Sequence, residues 1–308
     1  MTAHQTAPDP RTIFLADYQP FSHLLDRVEL TFRLAPKTTR VLARLHLAPN
    51  PARGSGLDLR LDGENLRLIS CAIAGRAVAA VQDDTGLTLA AADLPAGAFV
   101  LETEVEIAPH GNTALEGLYM SKGMYCTQCE AEGFRKITFY PDRPDVMARF
   151  HVRIESDLPV LLSNGNPAGQ GRGWAEWDDP WPKPAYLFAL VAGDLVNHPG
   201  RFTTRSGREV ALNIWVRPSD ADRCQWGMDS LKRSMVWDEQ VYGREYDLDR
   251  FMIFCADDFN MGAMENKGLN IFNSRLVLAN PATATDDDFA AIESVVGHEY
   301  FHNWTGNR

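Results

Sequence analysis

Between about Val28 and Leu195 the apolar residues recur at every second position, and that period leaves little choice of architecture. Phe99, Leu101, Val105 and Ile107, with Thr103 in phase, alternate with Glu102, Glu104 and Glu106. Phe150, Val152 and Ile154 alternate with His151, Arg153 and Glu155 in the same way. Successive side chains of an extended strand point to opposite faces, so each stretch offers one face to a core and one to water. Turn formers punctuate the strands at Asp62-Gly63-Glu64-Asn65 and Ser163-Asn164-Gly165-Asn166-Pro167. No segment of useful length here carries a helical period. The region is expected to be a mainly β domain, an antiparallel sandwich or saddle.

The pattern changes after Asn197-His198-Pro199-Gly200, and the expected division is residues 1–197 and 198–308. A short β segment from Arg208 to Val216 leads to Pro218-Ser219, with Asp222 three residues beyond the serine, which reads as a helix start. Cys224, Met228, Leu231, Met235 and Tyr242 follow at helical spacing, and Gly243 supplies a stop. Next come an apolar run, Phe251 to Cys255, a Gly-rich loop, and a second β-like run from Leu269 to Leu278. A last helix is expected from Thr285, because Asp286, Asp287 and Asp288 suit a helix N-terminus. The second region is therefore α+β.

At 308 residues the chain can bury two ordinary cores. Its 41 acids against 30 bases, net charge −11, come without a basic run, which argues against nucleic acid or an anionic membrane as partner. Met1 to Pro20 lacks a basic start followed by an apolar core, and no stretch approaches the roughly 20 apolar residues of a membrane span. Five scattered cysteines do not read as a disulfide framework. A cytoplasmic protein is expected.

The last helix carries His298-Glu299-Tyr300-Phe301-His302, an H-E-x-x-H pentad. Positions i and i+4 share a helix face, so His298 and His302 can aim imidazole nitrogens at one metal ion. Glu299, one step round, can take a proton from a water that the metal polarises without itself ligating the metal. A catalytic zinc usually has three protein ligands. Two are visible. A second constellation is Asn260-Met261-Gly262-Ala263-Met264-Glu265-Asn266-Lys267-Gly268. Its glycines allow close backbone approach to a ligand, the segment can pair with an extended peptide as an added strand, and Glu265 can meet a positive group.

These motifs resemble the M1 zinc aminopeptidases: Gly262-Ala263-Met264-Glu265-Asn266, then the pentad, then Asn303-Trp304, with Tyr242-Gly243-Arg244-Glu245-Tyr246-Asp247 upstream. Cys126-Thr127-Gln128-Cys129-Glu130-Ala131-Glu132-Gly133-Phe134-Arg135 and Pro141-Asp142-Arg143-Pro144-Asp145-Val146 are similar to segments of the bacterial members. The resemblance spans nearly the whole chain. It implies one zinc ion on His298 and His302, with Glu299 as general base. It implies that Glu130 and Glu265 hold the free α-amino group of a peptide, making an exopeptidase of broad specificity. Gly262 and Ala263 would align the substrate backbone, Gln128 and Met261 would line the pocket for the first side chain, and Met264 and Asn266 are further substrate-binding positions. The second region becomes the start of a thermolysin-like catalytic domain. A third ligand, an oxyanion-stabilising tyrosine and helical domains are expected beyond residue 308, so a polypeptide of these residues alone is expected to bind zinc weakly and turn over little substrate. The expected partners are peptides, with no nucleic acid or membrane, and the full-length protein is expected to be monomeric.

Two other functions fit the same motifs. One is an epoxide hydrolase of the leukotriene A4 hydrolase type. The other is a peptide-binding scaffold without catalysis, which retention of Glu299 beside Glu265 argues against. Cys126 and Cys129 form a lone C-x-x-C without a second copy or a βαβ setting, and are read as structural or site-lining thiols. His4, His23, His46, His110, His151 and His198 are read as surface residues.

Overall fold

The computed structural model describes residues 12, 14–54 and 56–308; His4 and the opening of the Met1–Pro20 stretch lie outside them. The alternation reads directly into the first region. Strand Phe99–Ile107 buries every second residue, and its outward glutamates meet arginines of the neighbouring strands. Arg40 pairs with Glu104 at 2.8 Å, and Arg44 bridges Glu29 and Glu102 at 3.0 and 3.2 Å. Such exposed pairs add about 0–1 kcal/mol each, so burial of the opposite face holds the sheet.

The largest sheet has eight strands, in the order Asn166–Gly171, Trp174–Lys183, Ala148–Glu155, His23–Arg33, Thr39–Pro49, Phe99–Ile107, Arg67–Ile73 and Arg76–Ala77. Its pairs are antiparallel except His23–Arg33 with Ala148–Glu155, which run parallel. A four-stranded sheet (Val160–Ser163, Leu190–Gly193, Met124–Gln128, Gly117–Ser121) and a three-stranded one (Leu59–Asp62, Gly86–Leu89, Val81–Asp83) complete the mainly β part. Up to residue 197 the helices among the described residues are short 3-10 turns.

A five-stranded sheet follows, ordered Val196–Thr203, Glu209–Val216, Arg250–Ala256, Leu269–Asn273 and Ala263–Met264. Its three middle strands are parallel, and the outer two are antiparallel to their neighbours. Helix α1, Gln225–Val241, makes the crossover between the first parallel pair, and α2, Asp286–Phe301, packs beside it. Both faces of this sheet are covered. Phe251, Ile253 and Cys255 join the helix-side core, while Met252, Phe254 and Ala256 join the core beneath the β sheets. That two-sided burial explains why Phe251 to Cys255 reads as an unbroken apolar run rather than an alternating one.

The structure corrects several boundaries. Helix α1 does not begin at Ser219: Pro218–Arg223 form a 3-10 turn, and the α-helix starts at Gln225. It ends at Val241, with Gly243 at φ +66°, the left-handed geometry that glycine adopts without strain. The run expected to Leu278 leaves the β conformation at Asn273, whose side chain accepts from the Arg275 N–H and opens a short 3-10 turn. His23 is buried at 5% exposure, edge-on to Phe99, and burial lowers its pKa; a strand interior, not the surface, holds it. All five cysteines are buried free thiols, and burial pushes those of Cys126 and Cys129 up.

One contact fixes the two parts relative to each other near the site. The hydroxyl of Tyr119 donates to the Asp258 carbonyl at 2.8 Å and that of Ser121 to the Asp258 carboxylate at 2.6 Å, while Lys122 pairs with Asp257 at 2.6 Å. The hairpin leading to Gln128 and Glu130 is thereby tied to the loop leading to residues 260–266.

Candidate metal centre

Helix α2 opens with a capping box: the Thr285 hydroxyl accepts from the Asp288 N–H, and the Asp288 carboxylate accepts from the Thr285 N–H. Ile292, Val296 and Tyr300, spaced four apart, bury one stripe against the second core. His298, Glu299 and His302 flank that stripe, with their ligand atoms gathered together. His298 sits in the last helical turn and His302 just beyond it, at the C-cap, still joined by an N–H donated to the His298 carbonyl.

The two Nε2 atoms stand 3.1 Å apart. Two imidazole nitrogens each about 2.0–2.1 Å from one tetrahedral zinc lie roughly 3.3 Å apart, so the pair already has the bite of a metal chelate. The other ring nitrogen of His302, Nδ1, donates to the Thr305 carbonyl at 2.9 Å. That bond leaves the Nε2 lone pair free to ligate and holds the ring plane, the usual support for a ligating histidine. Ligand atoms of His298, Glu299 and His302 all lie within 4.8 Å of one another. The donor set fits a zinc-class ion.

Glu299 is 6% exposed, and its Oε2 has no hydrogen-bond partner. Burial first, then the charges of Glu265 and Glu130, push its carboxyl up to about 8. A dication beside it would pull that value down. Glu130 follows the strand Met124–Gln128 of one sheet, and Glu265 follows the edge strand Ala263–Met264 of another. The fold brings them together: burial and the charge of Glu265 raise the Glu130 carboxyl, and His302 lowers it. Three carboxylates from three segments thus face one space, where a cation relieves their mutual repulsion.

The remaining candidates divide into side chains that face the space and side chains that hold its frame. Met261 is 46% exposed, and Gly262 is exposed beside it. Ala263 and Met264 form an edge strand whose second side is free to accept another strand. Met264 itself is fully buried in the β-side core, and Asn266, also fully buried, donates to the Phe188 carbonyl at 3.2 Å. Both can meet a ligand only through their backbone. Gln128 is 3% exposed and donates to the Glu130 carbonyl at 3.3 Å, so it too shapes the Glu130 turn.

The comparisons follow this geometry. Residues 226–308 match the model described as the Peptidase family M1 domain, and residues 79–187 match the Peptidase M1 N-terminal domain. The chain is 58% identical over 309 aligned residues to aminopeptidase N of Caulobacter vibrioides, covering 97% of this chain and 35% of that protein. It is 52% identical to aminopeptidase N of Escherichia coli, covering 97% of this chain and 35% of that one. The chain belongs to peptidase family M1. Among solved structures, Legionella pneumophila aminopeptidase A in complex with aspartic acid superposes with a TM-score of 0.89 at 35% identity, covering 96% of this chain and 36% of that one. The chain spans about a third of the length of these relatives.

Both M1 models fall on site residues: the first spans the pentad and the loop with Glu265, the second Gln128 and Glu130. Three contributors were given no role by the motifs. Tyr186 is half-buried, and after burial the charges of Glu265 and Glu130 raise its phenol, which puts it on the same space. Asn307 donates to the Glu265 carbonyl at 2.8 Å. Lys267 lies fully buried directly after the loop.

Proposed function

We propose that this chain is the zinc- and amine-binding portion of an aminopeptidase that removes single residues from peptide N-termini. The observation that carries this reading is the juxtaposition of a 3.1 Å imidazole pair with carboxylates whose charges act on Glu299. His298 and His302 hold the ion, with a third ligand supplied from elsewhere. A zinc ion held there would supply Lewis-acid polarisation of a water and of the scissile carbonyl. Glu299 takes the proton of the attacking water and passes it to the leaving amine. Glu130 and Glu265 clamp the substrate ammonium by charge-assisted hydrogen bonds, which places the first peptide bond, and no later one, at the ion. Ala263–Met264 pairs with the substrate backbone as an added strand. Met261, flexible and half exposed, meets the first side chain, and a thioether there accommodates varied shapes.

The same reading divides the chain into a β domain over 1–197 and part of a thermolysin-like domain over 198–308. It makes the protein a cytoplasmic monomer; among the described residues no helix is long and apolar enough to cross a membrane. The test is aminoacyl-anilide hydrolysis by the full-length protein before and after chelation. Turnover falls at least ~100-fold in chelator and returns with one equivalent of zinc, as loss of a Lewis acid requires. Turnover indifferent to chelation, or turnover of an epoxide alone, would sink the reading.

A further inference from the structure

Lys267 lies one residue beyond Asn266, and its side chain is completely buried. An ammonium removed from water is tolerated only where its donors are met and an opposite charge is near. Here Nζ donates to Asp247 Oδ1 at 2.7 Å and to Asn303 Oδ1 at 2.7 Å. Asn303 closes the triangle by donating Nδ2 to the same Asp247 oxygen at 3.2 Å. The rings of Tyr246 and Trp304 each lie 6.0 Å from the ammonium and cover it. Arg308 reaches the second oxygen of Asp247.

The chemistry of the three partners is specific. Lysine has only donors and a carboxylate only acceptors, so an amide that accepts from one and donates to the other completes the set. The three residues come from different segments: Asp247 precedes the strand Arg250–Ala256, Lys267 ends the loop with Glu265, and Asn303 follows His302. Asn307 adds a parallel tie from the same turn to the Glu265 carbonyl. On the far side, Asn164 donates to the Lys267 carbonyl at 2.8 Å, so the loop is also anchored to the β domain.

We propose that Lys267 is a positioning residue: its clamp on Asp247 and Asn303 sets the separation between the carboxylates that hold the substrate amine and the imidazoles that hold the ion. The proposal rests on the aminopeptidase reading above. Neither Lys267 nor Asn303 meets substrate. Each stands beside a residue that the proposed reading places at substrate or ion, and their 2.7 Å bond links the two segments directly. Substrate is gripped at the ammonium and cut one peptide bond away, so the spacing enters the rate directly. A misplacement of about 1 Å costs on the order of 10²-fold in such sites.

The test uses Lys267→Met in the full-length zinc-loaded protein, with Asp247→Asn/Lys267→Met as a second variant that removes both charges together. Binding of a free amino acid to the chelated protein is measured alongside turnover of a free-amine anilide. The expected result is a fall in kcat of ten-fold or more, KM within about three-fold, amino-acid affinity unchanged in the chelated protein, and one zinc retained. A merely structural role would lower the amount of folded protein and leave the kcat of that fraction unchanged. A folded variant with kcat within two-fold of the parent overturns the proposal. Failure of both variants to fold also overturns it, since the clamp would then serve stability. An inactive parent protein would instead refute the underlying aminopeptidase reading, and the two failures are therefore told apart.

Discussion

Replacing Glu299 by Gln in the full-length protein abolishes most hydrolysis, lowering kcat by about 10³-fold, within the usual contribution of a positioned base. The substitution keeps the shape of a side chain that is 6% exposed and removes the atom that can accept a proton. In the proposed reading the ion rests on His298 and His302 and not on Glu299, so zinc stoichiometry is expected to be unchanged. Peptide affinity is also expected to be unchanged, since in the same reading the amine is held by Glu130 and Glu265, neither of which is altered. Steady-state turnover, metal analysis and calorimetric binding of a dipeptide make the three measurements. Full turnover in the variant would remove Glu299 from the chemistry. Loss of zinc along with turnover would mean that Glu299 serves the metal rather than the water.

The second large effect falls on recognition of the free amine. Glu265→Gln lowers kcat/KM for free-amine peptides by roughly 10–100-fold, the value of a charge-assisted hydrogen bond of about 1.5–3 kcal/mol. The loss is selective. N-acetylated peptides, which carry no ammonium, are poor substrates of the parent and change little in the variant, so the preference for a free amine narrows. Glu130→Gln acts in the same direction, because the charge of Glu265 acts on Glu130 and, in the proposed reading, both grip the same ammonium. Since Glu265 also hangs from Asn307 by its carbonyl, a bond that the side-chain change leaves intact, the loop keeps its place. Competition between a free and an acetylated peptide reads the effect in one tube. An unchanged preference would show that these glutamates do not select the amine.

The fold and the site differed in how much of each could be read from residues alone. Strands with one wet face announced themselves, as in Phe99–Ile107, where the pattern alternates without a break, whereas Met124–Gln128 and Leu190–Gly193, buried throughout, carry no such signal. The five-stranded sheet was less legible: Arg250–Ala256 is buried on both faces and so loses the alternation that identifies a strand. The start of α1 was misplaced because Pro218-Ser219 is as good an opening for a 3-10 turn as for an α-helix, and sequence preference does not separate them. The pentad was visible because i and i+4 spacing is local. Glu130 was reachable only through a family resemblance, since 135 positions separate it from Glu265 and no periodicity spans such a distance. Met264 shows the converse: inside a recognised motif, its side chain turned out to serve the core. Tyr186 and the Asn303–Lys267–Asp247 clamp needed coordinates, because polar residues scattered along a chain carry no sign of meeting.

Anomalous diffraction at the zinc edge, from crystals of the full-length protein, tests the central claim most directly. The account predicts one peak per chain, about 2.0–2.1 Å from both Nε2 of His298 and Nε2 of His302, in the space that Glu130 and Glu265 also border. A zinc peak elsewhere, or none there in protein that hydrolyses peptides, would contradict it.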